Sequence, residues 1–152
     1  MKIKLMIDFS NEEAKEVVDY LFEYRKTNDF ELEILGYDLT ENDYFNNAYY
    51  GLYYANKYGV GLEYAKQVLN DHHTDNKDIS RLDKVSESYQ AIGHNKNDII
   101  DAIIDGDYEE MHDYFQHRIK NEKIDEGCYA YIYDNEEKKL LVGAKEIIAY
   151  LK

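Results

Sequence analysis

Hydrophobic periodicity changes twice along this chain, from two residues to about 3.6 and back to two, and that order of periods points to an α/β architecture. Lys2 to Ile7 alternates and stops at Asp8-Phe9-Ser10, after which Ser10 and Glu13 have the spacing of a capping box. A strand is therefore predicted to run into a helix. Val17, Val18, Leu21 and Phe22 fall on one face of that helix, with Glu12, Lys15, Glu16, Asp19 and Glu23 outside it. The helix is predicted to fade near Asn28-Asp29. Phe30 to Leu35 alternates strictly, as a half-buried strand does, and Gly36 breaks it, completing a βαβ unit.

Leu39 to Asn47 is polar and reads as a loop. From Ala48 the pattern is helical: Tyr50, Tyr53, Tyr54 and Tyr58 before Gly59, then Leu62, Ala65, Val68 and Leu69 before His73-Thr74-Asp75-Asn76. Leu82, Val85, Tyr89 and Ile92 form a third stripe. Ile99, Ile100, Ile103 and Ile104 form a fourth, and Met111, Tyr114, Phe115, Arg118 and Ile119 a fifth. After Gly127 the strand pattern returns in Cys128 to Tyr133. Asp134-Asn135-Glu136 is a turn, Lys139 to Val142 can pair back, and Lys145 to Leu151 is a terminal helix with Ile147, Ile148 and Leu151 inward. The predicted order is β-α-β, about five helices, β-β-α.

Charge narrows the partners. Thirty-two acidic residues against 18 basic ones give a formal charge of −14, which repels phosphate backbones and anionic bilayers, so neither nucleic acid nor membrane is an expected partner. No apolar run approaches the roughly 20 residues of a membrane span. Met1 to Asp8 offers too few apolar residues for the roughly 7–15 of a secretion signal, so a cytoplasmic location is expected. The single cysteine, Cys128, excludes an intramolecular disulfide.

A helical block set between a βαβ half and a ββα half resembles the DsbA-like members of the thioredoxin superfamily, and specific residues carry the resemblance. Ile7-Asp8-Phe9-Ser10 is similar to the strand end before that family's active-site helix, and Tyr53-Tyr54-Ala55-Asn56-Lys57-Tyr58-Gly59 to its first inserted helix. Asp78-Ile79-Ser80 with the helix ending at Ile92-Gly93, and Leu141-Val142-Gly143-Ala144 later, resemble the cytoplasmic FrnE-like or dithiol-disulfide isomerase-like branch. The resemblance implies an α/β fold: a thioredoxin-like β-α-β … β-β-α with an inserted all-helical block of about five helices. Residues 1–46 and 124–152 would form the two half-domains and 47–123 the insertion, in one compact unit.

The departures bear on function. Where the family has Cys-x-x-Cys, this chain has Asn11-Glu12-Glu13-Ala14, and where the family has a cis-proline, Tyr129 follows Gly127-Cys128. Thiol–disulfide exchange in this family needs an attacking thiolate and a resolving cysteine, which an amide and a methyl group cannot replace. A cis bond before a non-proline residue costs about 2.5–4 kcal/mol, so a trans bond is expected before Tyr129, with the substrate-docking edge altered or lost.

Branches resembling kappa-class glutathione transferases and 2-hydroxychromene-2-carboxylate isomerases place a serine at the helix start to activate glutathione. Here Ser10 lies one position early, Asn11 takes the aligned place, and Glu12 and Glu13 already supply negative charge to the helix end. Cys128, in a strand interior, reads as a small buried residue with an unactivated thiol. Glu109 and His112 have Glu-x-x-His spacing, but Asp113 and His117 give no second copy, so no metal site is expected. His72-His73 sits at a helix end, where imidazole meets the negative end of the dipole.

The tyrosines Tyr49, Tyr50, Tyr53, Tyr54 and Tyr58 cover more of a helix than one buried stripe needs. Contact with a partner or a homodimer is therefore expected of some of them. Acidic runs such as Asp105 to Glu110 read as solvated faces. The expectation is a redox-inactive module that holds a peptide or small molecule in a cleft between Asn11 and Tyr129, with Ser10, Cys128, Tyr50 and Tyr54 as further lining residues. The alternatives are a glutathione-dependent isomerase or transferase, and the disulfide oxidoreductase or isomerase activity that the family would imply.

Overall fold

A computed structural model describes residues 1–152. The elements follow the order β1 (Lys2–Ile7), α1 (Glu12–Tyr24), β2 (Glu31–Gly36), α2 (Asn46–Lys57), α3 (Gly61–His73), α4 (Leu82–Ala91), α5 (Lys96–Ile104), α6 (Glu109–Glu122), β3 (Cys128–Asp134), β4 (Glu137–Val142) and α7 (Ala144–Leu151). Five helices separate β2 from β3, as the five apolar stripes required. The sheet order is β2-β1-β3-β4, with β1 parallel to β2 and both other pairs antiparallel. A two-residue turn closes the β3–β4 hairpin, with Asn135 and Glu136 both at positive φ, a geometry whose twist matches the flanking strands. Every peptide bond is trans, including the one before Tyr129.

Local chemistry explains where the sequence reading shifts. The N-cap of α1 is Asn11, whose side chain accepts from the Glu13 N–H at 2.9 Å, and not Ser10. Ser10 is taken by an earlier turn: its N–H and hydroxyl both donate to Asp8 Oδ1, at 2.9 and 2.6 Å. The same device recurs at Asp38-Leu39-Thr40 and Asp78-Ile79-Ser80, where an aspartate oxygen likewise accepts from the N–H and hydroxyl two residues on. Helix α1 ends at Tyr24, earlier than the predicted fade near Asn28.

The strict alternation expected of β2 fails at its end. Ile34, Leu35 and Gly36 are all buried, because α2, α3 and α6 all pack against this strand. The outward rung of β2, which is an edge strand, is not open either. The Asn56 carboxamide accepts from Ile34 N–H at 3.4 Å and donates to Ile34 O.

The aromatic helix turns a different face inward from the one its tyrosines suggested. Ala48, Tyr49, Leu52, Tyr53 and Ala55 are buried, Tyr50 and Tyr54 are half-buried, and Tyr58 is 55% exposed. On α6 the buried stripe is His112, Phe115 and Ile119, while Met111 and Tyr114 face out; on α5, Ile104 is also exposed. Tyr49 fills the space these shifts create. Its hydroxyl accepts from Phe9 N–H at 3.0 Å and donates to Tyr37 O at 2.5 Å, tying the segment after β1 to the segment after β2.

Candidate functional site

The ends of β1 and β2, the start of α1 and the start of β3 meet at one edge of the sheet. Asp8 N–H donates to Gly127 O at 2.9 Å and Ile7 stands opposite Cys128, so the chain brings Asn11 against the turn before β3. The approach is tight. A Cβ on Gly127 would lie 2.7 Å from Asn11 Cβ and overlap the carboxamide beyond it. Ala14 is fully buried next to this junction, and Glu13 Oε1 accepts from Ala144 N–H at 3.1 Å, joining α1 to the start of α7.

One sulfur lies here, and it is poorly placed for attack. Cys128 is fully buried, and burial, followed by the carboxylates of Glu13, Glu126 and Glu16, pushes its thiol far above the ordinary range. Tyr129 is also fully buried. Its ring packs 5.4 Å from Tyr37 and 6.1 Å from Tyr131, and burial together with the Glu122 carboxylate raises its phenol. Tyr129 is therefore a core residue, its ring packed on Tyr37 and Tyr131, while Asn11 lies against Gly127. Glu13 also holds the Glu126 carboxyl above its usual value, so the helix end that could attract an anion already faces carboxylates.

Of the residues singled out from the sequence, Ser10, Asn11, Ala14, Cys128 and Tyr129 come together at this junction. Tyr50 and Tyr54 have other neighbours: Tyr50 stands edge-on to His112 at 6.0 Å, and Tyr54 lies 4.9 Å from Tyr58 and 5.8 Å from Tyr89. His72 and His73 occupy the last turn of α3, as expected, but His73 Nε2 reaches back to Phe9 O at 2.8 Å. Glu109 and His112 share α6, yet no group of three His, Cys, Asp or Glu side chains is arranged to hold a metal ion.

A cavity of about 210 Å³ opens beside the junction, past the end of β2, and no apolar residue lines it. Asp38, Glu41, Asp43, His112, Asp113 and Gln116 are among its walls. Gln116 pins the floor: its Oε1 accepts from Asp38 N–H at 2.8 Å and its Nε2 donates to Asp38 O at 2.5 Å, so α6 is bonded to the β2 end as a neighbouring strand would be. His112 stacks on Tyr49 at 4.5 Å and meets the Tyr53 hydroxyl through Nδ1 at 2.8 Å. Sequence reasoning missed Asp38 and Gln116. The one available signal was the repetition of Asp-x-Ser/Thr after both parallel strands, which sets Asp8 and Asp38 at the same sheet edge.

The tightness at Gly127 gives a test of the junction. Gly127→Ala should lower stability by about 1–3 kcal/mol through overpacking. Asn11→Ala should cost about 1 kcal/mol as a lost cap. The double variant should lose less than the sum, because removing the carboxamide makes room for the methyl group. Urea unfolding of the four proteins measures this, and strict additivity would separate the two residues.

No family model matches the chain, and no curated protein is similar to it in sequence. Its fold is shared with solved structures. The cytosolic disulfide reductase DsbM from Pseudomonas aeruginosa, with GSH, is 10% identical at a TM-score of 0.75, covering 99% of this chain and 97% of that one. A Nitrosomonas europaea protein assigned as a protein disulfide isomerase is 8% identical at a TM-score of 0.74, covering 99% and 96%. DsbA from Pseudomonas aeruginosa is 11% identical at 0.51, covering 72% and 60%. At such identities the likeness is one of fold, and that fold is the DsbA-like thioredoxin architecture with a helical insertion.

Proposed function

We propose that this chain is a thioredoxin-fold binding module without dithiol redox chemistry, taking a peptide or small molecule at the carboxyl edge of its sheet. The observation that carries this reading is the junction of α1 with β3, where a carboxamide and a methyl group stand at the helix start and the lone thiol is buried among carboxylates. Exchange needs a thiolate at the surface and a second sulfur to release the mixed disulfide. Past the carboxyl end of β2 lies the polar cavity walled by Asp38, His112 and Gln116. Ligands of open α/β sheets bind outside the carboxyl ends of the strands.

The test is reduction of insulin in the presence of glutathione. No turnover above a Cys128→Ser control is expected, and turnover above that control would overturn the reading. A second reading, a glutathione-dependent isomerase or transferase, is favoured by the fold shared with a structure holding GSH. It is opposed by Glu12, Glu13 and Glu126 around the helix start, since glutathione is itself an anion. Calorimetry with glutathione decides it: binding that disappears in Asn11→Trp would favour this second reading.

A cytoplasmic location, expected from the sequence, is in keeping with the cytosolic protein whose fold it shares. No helix of the chain is long and apolar enough to cross a membrane. Tyr58 and Tyr114, both more than half exposed, are the most exposed rings available to a protein partner or a second copy.

A further inference from the structure

We infer that the cavity between the end of β2 and helix α6 is a binding site for a guanidinium-type cation, held by Asp38 Oδ2 and His112 Nε2. Asp38 is 2% exposed and borders the cavity. Its Oδ1 is doubly satisfied by Thr40, through N–H at 2.8 Å and hydroxyl at 2.6 Å, whereas its Oδ2 has no partner in the chain. A buried carboxylate oxygen without a donor is costly. That cost is relieved when an N–H donor enters from the cavity.

The second acceptor follows from the histidine's bonding. The Tyr53 hydroxyl donates to Gly36 O at 3.2 Å, so the His112 Nδ1 that meets the same hydroxyl at 2.8 Å carries the ring proton. Burial keeps the ring neutral at pH 7. Nε2 is then a bare acceptor, and it has no partner in the chain. Two acceptors in one polar cavity ask for a ligand with two or more donors and positive charge.

The walls agree with that demand. Glu41, Asp43 and Asp113 add carboxylates, and the one cationic side chain, Lys120, is already paired with Glu41 at 2.8 Å. A planar guanidinium presents its donors as a rigid fork and is less strongly hydrated than an ammonium, so it suits two acceptors better. A metal ion does not suit them, because three ligating side chains do not converge. At about 210 Å³ the space takes one side-chain-sized group, not a whole cofactor. The guanidinium could belong to a free small molecule or to an arginine of a peptide, and the test separates these sources.

The inference rests on the reading above only in that the chain binds. Calorimetric titration at pH 7.5 would use three probes: agmatine, end-capped Gly-Arg-Gly, and its neutral citrulline counterpart. Saturable binding of agmatine, of the arginine peptide or of both is expected, at least about tenfold tighter than the citrulline peptide. Binding of the peptide at least as tight as agmatine would assign the site to a partner's side chain, and agmatine alone to a free cation. Asp38→Asn should weaken binding by at least about tenfold. Because Asp38 also shapes its turn, Asp113→Lys at the exposed rim serves as a second variant, with a loss of about tenfold expected and the fold intact by circular dichroism. No saturable heat from either guanidinium probe, equal binding of the citrulline peptide, or wild-type affinity in both variants would overturn the assignment. Insulin turnover, by contrast, would overturn the redox reading and leave this site standing.

Discussion

Tyr49→Ala should remove about 3–5 kcal/mol of stability, a large share of the 5–15 kcal/mol typical of a domain. The ring is fully buried, 4.5 Å from His112, 4.9 Å from Phe9 and 6.5 Å from Phe45. It also lies against the backbone of Gly36 so closely that a Cβ there would overlap it. Truncation opens a cavity that the two strand ends cannot close by collapsing. It also strips Phe9 N–H and Tyr37 O of their shared partner, each worth about 1–3 kcal/mol if left dry. Tyr49→Phe isolates the polar part and should cost about 1–3 kcal/mol. Urea unfolding checks both, and a phenylalanine variant as stable as the parent would mean that the hydroxyl bridge holds nothing.

The second large effect is in pH. Burial, only partly opposed by the charges of Asp113 and Asp38, lowers the His112 ring to about 4 from an ordinary 6.5. The folded state then binds this proton less readily than the unfolded chain. The stabilisation is therefore complete above pH 6.5 and is lost as pH falls towards about 4, to a total of roughly 3 kcal/mol. His72, also lowered by burial, acts with the same sign; Asp8, whose carboxyl burial raises, acts with the opposite sign at the acid end. The urea midpoint should fall steadily from pH 7 to 4.5. His112→Gln, less stable at pH 7 because it loses the Tyr49 stack, should show a distinctly shallower fall. Equal slopes in the two proteins would count against a neutral buried ring.

Much of the fold could be read from the chain because each element has a period of its own and glycines or acidic turns between. The hairpin from Cys128 to Val142 and the five stripes from Tyr50 to Ile119 needed no tertiary information to be found. What could not be read is which face turns inward where a helix is apolar all round. Eight aromatic, aliphatic or small residues in a row from Ala48 to Ala55 leave the 3.6-residue period without contrast, and the choice of Tyr49 over Tyr50 is made by Gly36 and the strand ends it must touch. His112 was left out of the buried stripe for a related reason: a polar side chain gives no apolar signal, and only the fold shows that Tyr53 supplies it a partner. At the junction, the loss of both sulfurs was legible. The cap at Asn11 was not, because Ser10 is an equally good cap and only the Asp8 turn decides between them.

The carboxamide of Asn56 on the outer rung of β2 has a consequence for how this protein behaves in a crowded solution. An uncovered border strand is a template on which another polypeptide can add its own backbone, the first step of stacking into fibres. Here Ile34 has no amide or carbonyl to lend, and on the opposite border Glu137, Lys138 and Lys139 present charge. The sheet is guarded on both margins against growth by addition.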